Sequence, residues 1–463
     1  MYSSFNLRKA LSTVLGFFVL IACCHGQLRG KAVQPGNASG IDPVLKKRID
    51  TMVAIDNHAH PLLPPPGDKT DREFDALPVD HMEPETDPVA WRPDNPQLED
   101  AWFHLWGFRS TVPLDASGLA RLNAARERVR TREGGHYPAW LLDQSHIGEM
   151  LSNRVSMGPE ADRLERPRFL WVPYLDCLLF PLDNSRLAMK TPDRAAFFPL
   201  EDKLLARYLR ESGLSAPPTS LHDYLSHVVT PTLQRQKAGG AVAVKFEVGY
   251  LRSFAFADPT ENDAARVYAA AISSHKAPSE GDYKTLQDFL FRYIAAEAGR
   301  LGLPVQLHGM AGAGGYYDVA GSNPLLLEPL FDDPRLRQTR FVILHGGWPF
   351  VREIGALLQK PNVYLDISQQ SLVIPPRTQS TWLREWLEMY PEKVLFGTDG
   401  YPFSEYLGWE ESLWIANLNA RKALGYALTG MMDDREIGLT RATQIAHDVL
   451  SSNAAALYHL PEP

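Results

Sequence analysis

Four separate segments of this chain carry a strand-like apolar run straight into a side chain able to hold a metal ion. Residues 52–60 end in His58 and His60, 304–308 in His308, 341–345 in His345, and 394–399 in Asp399. Few architectures accommodate that repetition. Ligand-type side chains at the C-terminal ends of parallel strands converge on one mouth of a barrel, where the active sites of such barrels lie. The pattern predicts an enzyme.

Strand-like runs alternate with helical ones. Leu286, Phe289, Leu290, Tyr293, Ile294 and Leu301 keep helical spacing, and Gly302 and Pro304 stop that helix just before the strand at Val305. The stretch 220–237 ends at Gly239 and Gly240 and leads into 241–245, and Pro349 can open a helix after His345. Eight strands are predicted, near 51–57, 147–152, 169–175, 241–246, 305–308, 341–345, 363–367 and 394–398. The fold class is therefore α/β, a parallel (β/α)8 TIM barrel. A long insertion follows the first strand, about 62–144. Its Trp91, Trp102, Phe103 and Trp106 suit either a lid over the barrel mouth or a helical surface appendage.

Strand alternation assigns side chains to faces. His58 and His60 are two apart and share a face, with Val53 and Ile55 expected on the other. By the same rule Ala241, Ala243 and Lys245 point inward, and Val242, Val244 and Phe246 outward toward helices. Burial lowers a lysine's pKa, and a neutral amine can take up carbon dioxide to form a carbamate that bridges two metal ions. Otherwise Lys245 pairs with Asp399 or Glu247, or holds a substrate anion. His308 and His345 each precede glycine, which admits close approach of a loop or ligand.

Composition narrows the class. The 463 residues are 44% hydrophobic and 22% charged, enough for a large core, and the formal net charge of -8 with no long basic run excludes a nucleic-acid surface. A small-molecule substrate is expected, with a homo-oligomer compatible. Residues 1–26 read as an export signal: Arg8 and Lys9 precede an apolar stretch, 10–22, too short to span a bilayer. Leu20, Ile21, Ala22 and Cys23 resemble a lipobox, so the mature protein is expected outside the cytoplasm, periplasmic or attached to the membrane through lipidated Cys23. Residues 27–40 read as a flexible tether and 41–463 as the barrel domain. Cys177 alone remains beyond the signal region, which leaves no partner for an intramolecular disulfide and no Cys-based zinc site.

His58-Ala59-His60-Pro61, His345-Gly346-Gly347-Trp348-Pro349, Phe396-Gly397-Thr398-Asp399 and the late 452–458 run resemble the motifs of the amidohydrolase-related branch of the amidohydrolase superfamily. The resemblance covers about 41–460. It implies a barrel holding one or two divalent metals, usually zinc, that hydrolyses amides or esters or decarboxylates. It further implies that His58 and His60 bind the first metal, that His308 binds metal, that His345 binds a second metal or polarises the substrate, and that Asp399 touches metal and handles protons. Lys245 is the less regular ligand, since many members of this branch use one metal without a bridging carbamate. The long insertion also exceeds what a minimal member needs.

Imidazoles and a carboxylate suit zinc or another first-row divalent ion with a position left open for water. The expected reaction is hydrolysis of a small-molecule amide or ester, with His345 and Asp399 as the catalytic residues. Non-oxidative decarboxylation on the same barrel is the alternative, with Tyr250 and Arg252 placed to hold an anionic group. Trp348 and Tyr316 are candidates to line an aromatic pocket. A third class is an exported, non-catalytic binding lipoprotein.

Overall fold

All eight anticipated strands are present in the computed structural model, which describes residues 40–63, 70–78, 86–157, 168–310 and 312–462. They are β1 (Ala54–Ala59), β2 (Ile147–Asn153), β3 (Phe169–Val172), β4 (Val244–Phe246), β5 (Val305–Leu307), β6 (Phe341–Ile343), β7 (Val363–Asp366) and β8 (Val394–Leu395). Every ladder is parallel, in the orders β1-β2-β3 and β4-β5-β6-β7-β8. Backbone hydrogen bonds join the two sheets at both edges. Val242 N–H donates to Trp171 O (3.0 Å) and Lys245 N–H to Pro173 O (2.8 Å), while Asn57 N–H donates to Phe396 O (3.0 Å) and Asp399 N–H to His58 O (2.8 Å). The strands thus follow one another in chain order around a ring, and each strand's C-terminal end faces the same mouth.

The helix Glu280–Arg300 starts at a Ser279 cap and stops at Gly302 (φ +66°), immediately ahead of β5, as its apolar spacing predicts. Outward-facing Val244, Phe246, Leu307 and Ile343 pack in the large core between barrel and helices, whereas Ile55, Leu151, Ala243, Val342 and Leu395 pack inside. The C-terminal helix Asn453–Tyr458 closes the bottom: Ala454, Ala455 and Leu457 join the interior cluster.

Three face assignments need correction. Ile55 lies inside rather than opposite His58, because β1 changes register between Asp56 and Ala59 and the simple alternation breaks there. Ala241 packs with the outer cluster and Val242, expected outward, against the inner one, so the expected alternation along that segment holds only from Ala243.

The insertion divides into two parts. Its helices Gln97–Trp106, Ala116–Glu133 and Tyr137–Gln144 are a flanking appendage. Trp106 Nε1–H and the Arg126 guanidinium both donate to Glu411 Oε1 (2.7 and 2.6 Å) on the long helix Trp409–Asp433. Trp102 is fully buried, and Phe103 is exposed. Residues 70–78 instead reach the barrel mouth. Arg154, just beyond β2, holds Asp71 (2.6 Å) and the carbonyl of Pro61 (2.7 Å), which anchors that segment beside the end of β1. The export signal, Cys23 and the tether lie outside the described residues, apart from Gly40. No helix among the described residues is long and apolar enough to cross a membrane.

Candidate metal centre

At the mouth of the barrel His58, His60, Lys245, His308, His345 and Asp399 line one cavity together with Asp75, Glu247, Tyr250, Gln369, Tyr401 and Phe403. One donor atom each from His58, His345 and Asp399 lies within 4.8 Å of the others. His58 Nε2 is 3.1 Å and His60 Nε2 3.5 Å from Asp399 Oδ1. The His308 ring centroid is 4.8 Å from that of His345, which in turn is 5.0 Å from that of His58. The convergence that strand ends implied is therefore realised.

Two of these residues occupy left-handed backbone, His345 at φ +61° and Asp399 at φ +55°. Such a conformation costs on the order of 1–3 kcal/mol and persists where surrounding bonds fix it. They do so here: His345 N–H donates to Asp366 Oδ1 (2.6 Å) and Asp399 N–H to His58 O. Gly309 is required for close approach, since a Cβ there would lie 2.4 Å from Ile343 Cγ2 and 2.9 Å from Leu344 O.

Burial pushes all four imidazoles well below their ordinary pKa, with Lys245 or a neighbouring imidazole reinforcing the effect on each. They are neutral and hence free to donate lone pairs. Hydrogen-bond direction fixes which nitrogen does so. Ser368 Oγ–H donates to Asp366 Oδ1 (2.7 Å), an oxygen that also accepts from two backbone N–H groups and so carries no proton. Ser368 Oγ must then accept from His345 Nδ1–H (2.8 Å), which leaves the Nε2 lone pair toward the cavity. Tyr174 does the same for His60: its hydroxyl donates to Asp75 and accepts from His60 Nδ1–H at 3.1 Å.

These donors fit a divalent metal. His308 Nε2 is buried at the cavity with no hydrogen-bond partner, an orphan that a metal bond would satisfy, and the neutral imidazoles with a carboxylate are the donor set such ions take. For His345 the tautomer decides between the two roles open to it: a bare Nε2 can ligate but cannot donate to a substrate oxygen. Asp399 is held above the usual carboxylate range by burial. Lys245 is fully buried, its Nζ 3.4 Å from His58 Nε2 and 3.8 Å from Glu247 Oε1, so the pairing with Glu247 is made.

Three residues expected to contact substrate do not line the cavity. Arg252 is buried against the helix Glu280–Arg300, where Asp288 (2.6 Å) and Gln287 (3.0 Å) occupy its guanidinium. Tyr316 and Trp348 point toward solvent, 53% and 37% exposed. Tyr250 does line it, with its ring centroid 4.8 Å from that of His308. Sequence reasoning passed over Asp366, Ser368, Tyr174 and Asp75. Asp366 ends β7 as the ligands end theirs, so the same strand-end rule selects it; Asp75, in an irregular loop, carries no comparable signal.

Among known proteins, an amidohydrolase family model matches residues 231–460, close to half of the chain. Protein fluG of Emericella nidulans is 32% identical over 206 residues, 43% of this chain but only 22% of that protein, so the match spans about a fifth of the relative's length. A protein of Lactobacillus casei described as a metal-dependent hydrolase superimposes with a TM-score of 0.59 at 17% identity, over 91% of this chain and 98% of its own. Glucuronate isomerase of Caulobacter crescentus gives 0.60 at 14% identity over 90% and 93%, and uronate isomerase of Thermotoga maritima 0.57 at 13% over 90% and 96%. At such identities the structures establish shared architecture. Together with the family match and the strand-end donor set, they place the chain in the amidohydrolase superfamily.

Proposed function

We propose that this enzyme hydrolyses an amide or ester bond of a small molecule. The observation that carries the reading is a buried carboxylate, Asp399, in contact with two neutral imidazoles at the mouth of the barrel. His58, His60, His308 and His345 would hold the metal with Asp399, and zinc suits the set. A second ion would call on Lys245 as its carbamate. A divalent ion bound there acidifies water and polarises a carbonyl. Asp399 accepts the water's proton and returns it to the departing amine or alkoxide. Ser368 and Tyr174 keep the imidazoles oriented throughout.

Decarboxylation has Tyr250 and Arg252 hold an anionic group; Tyr250 lines the cavity, but the only cation of the pair, the Arg252 guanidinium, is spent on Asp288. Hydrolysis is therefore preferred over it. A screen of the zinc-loaded protein against small amides, lactones and aromatic carboxylates, with evolved carbon dioxide followed, tests the choice. Bond cleavage without gas is expected; gas release without cleavage would contradict it. Asp399→Asn should lower kcat by about 10²-fold or more while retaining much of the metal. Export through residues 1–26, with lipidation at Cys23, is part of the same proposal and rests on the basic and apolar pattern there. An N-terminal peptide starting at Met1 in the mature protein would contradict it.

A further inference from the structure

The cavity around the donor set is acidic and aromatic. Setting aside the imidazoles and Asp399, its ionisable acidic and basic lining residues are Asp75, Glu247 and Lys245, and Lys245 is already engaged with His58 and with Glu247 Oε1. No arginine lines the cavity among the described residues. Glu247 is 5% exposed, and its Oε2 has no hydrogen-bond partner. Gln369, 7% exposed and also on the wall, has its Oε1 unpartnered. Unmet buried acceptors cost about 1–3 kcal/mol each unless something donates to them.

Glu247 is also built in. Asp176, fully buried, accepts the Glu247 backbone N–H on both carboxylate oxygens at 2.9 Å, which fixes the residue just past the end of β4. Asp75 lines the same cavity, with Oδ2 3.8 Å from His60 Nδ1. Tyr401 packs on His60 with centroids 5.2 Å apart, and Phe403 packs on Tyr401 at 5.1 Å. Aromatic faces beside carboxylates favour a cation with N–H donors and disfavour an anion.

Resting on the hydrolytic reading, we propose that the substrate carries a cationic nitrogen group, an ammonium or amidinium, close to its scissile bond, and that Glu247 and Asp75 receive it. Calorimetric titration of the zinc-loaded full chain with phenylalaninamide and with 3-phenylpropanamide isolates the charge, since the two share a skeleton and differ in the ammonium. Phenylalaninamide is expected to bind about ten- to a hundredfold more tightly, the worth of a charge-assisted hydrogen bond. Glu247→Gln should bring that ratio toward unity, and Asp75→Asn serves as the independent second variant. Equal binding, tighter binding of the neutral amide, or binding of neither overturns the proposal, as does a ratio unchanged in both variants. The hydrolytic reading fails separately, if phenylalaninamide and other cationic amides and esters bind selectively and none is cleaved.

Discussion

At the scale of single residues, the site depends as much on groups that orient the imidazoles as on the imidazoles. Ser368 is the clearest case, because it sits between His345 Nδ1 and Asp366 Oδ1 and sets which imidazole nitrogen carries the proton. Ser368→Ala should cut metal affinity or kcat/KM by about 10- to 100-fold, as loss of an orienting partner does elsewhere, while Ser368→Thr, which keeps the hydroxyl, recovers part of it. An unaltered alanine variant would remove the orienting role. Asp56 offers a titration test. It accepts from the backbone N–H groups of Thr398 and His58 and from the Thr398 hydroxyl, yet burial pushes its pKa up from 3.8 to about 7. The unfolded chain releases this proton near pH 4 and the folded one near 7, so the group's contribution to stability declines as pH rises between those values. Asp56→Asn abolishes that slope. Urea unfolding at pH 4.5 and 7.5 should show wild type losing ground to the variant at the higher pH, and a constant difference would contradict this.

At the scale of elements, most of the strands were legible because they are short apolar runs closed by glycine, proline or a ligand, as β1, β3, β5, β6 and β8 are, and all eight lie where they were expected. The metal donors were legible for the same reason. What failed was side-chain direction within β1, where the register shift near Asp56 follows from the hydrogen bonds of Asp56 and Asn57 to distant residues. Arg252 failed similarly: its partners Asp288 and Gln287 lie 36 and 35 positions away, and no local pattern reveals such a pairing. The insertion helices show tertiary pairing deciding the role of an element, since Glu411 takes both Trp106 and Arg126 in a buried setting. Glu411→Ala would strand the Arg126 charge and should cost about 3–5 kcal/mol of stability. Because these helices flank the barrel, kcat/KM measured well below the melting temperature should stay near wild type; a large loss in it would return the helices to the role of a lid.

At the scale of the whole molecule, a ring of parallel strands brings to one mouth residues from positions 58 to 399, while the C-terminal helix seals the opposite end. Tyr458 links the two ends through the barrel axis: its hydroxyl donates to Asn57 Oδ1 and accepts from Gln306 Nε2, and Asn57 in turn donates to Asp366 Oδ2 at 2.7 Å. The plug and the network that positions His345 are thus one buried hydrogen-bonded chain. The central claim is that neutral imidazoles from the ends of β1, β5 and β6, with the carboxylate after β8, hold a divalent metal that the reaction needs. Metal analysis of the purified chain by mass spectrometry tests it most directly, beside His58→Ala and His345→Ala. One or two ions per chain are expected in the wild type, with sharply reduced content in both variants and activity that chelation removes and zinc restores. A wild-type chain free of stoichiometric metal, or variants that keep the full complement, would contradict the account.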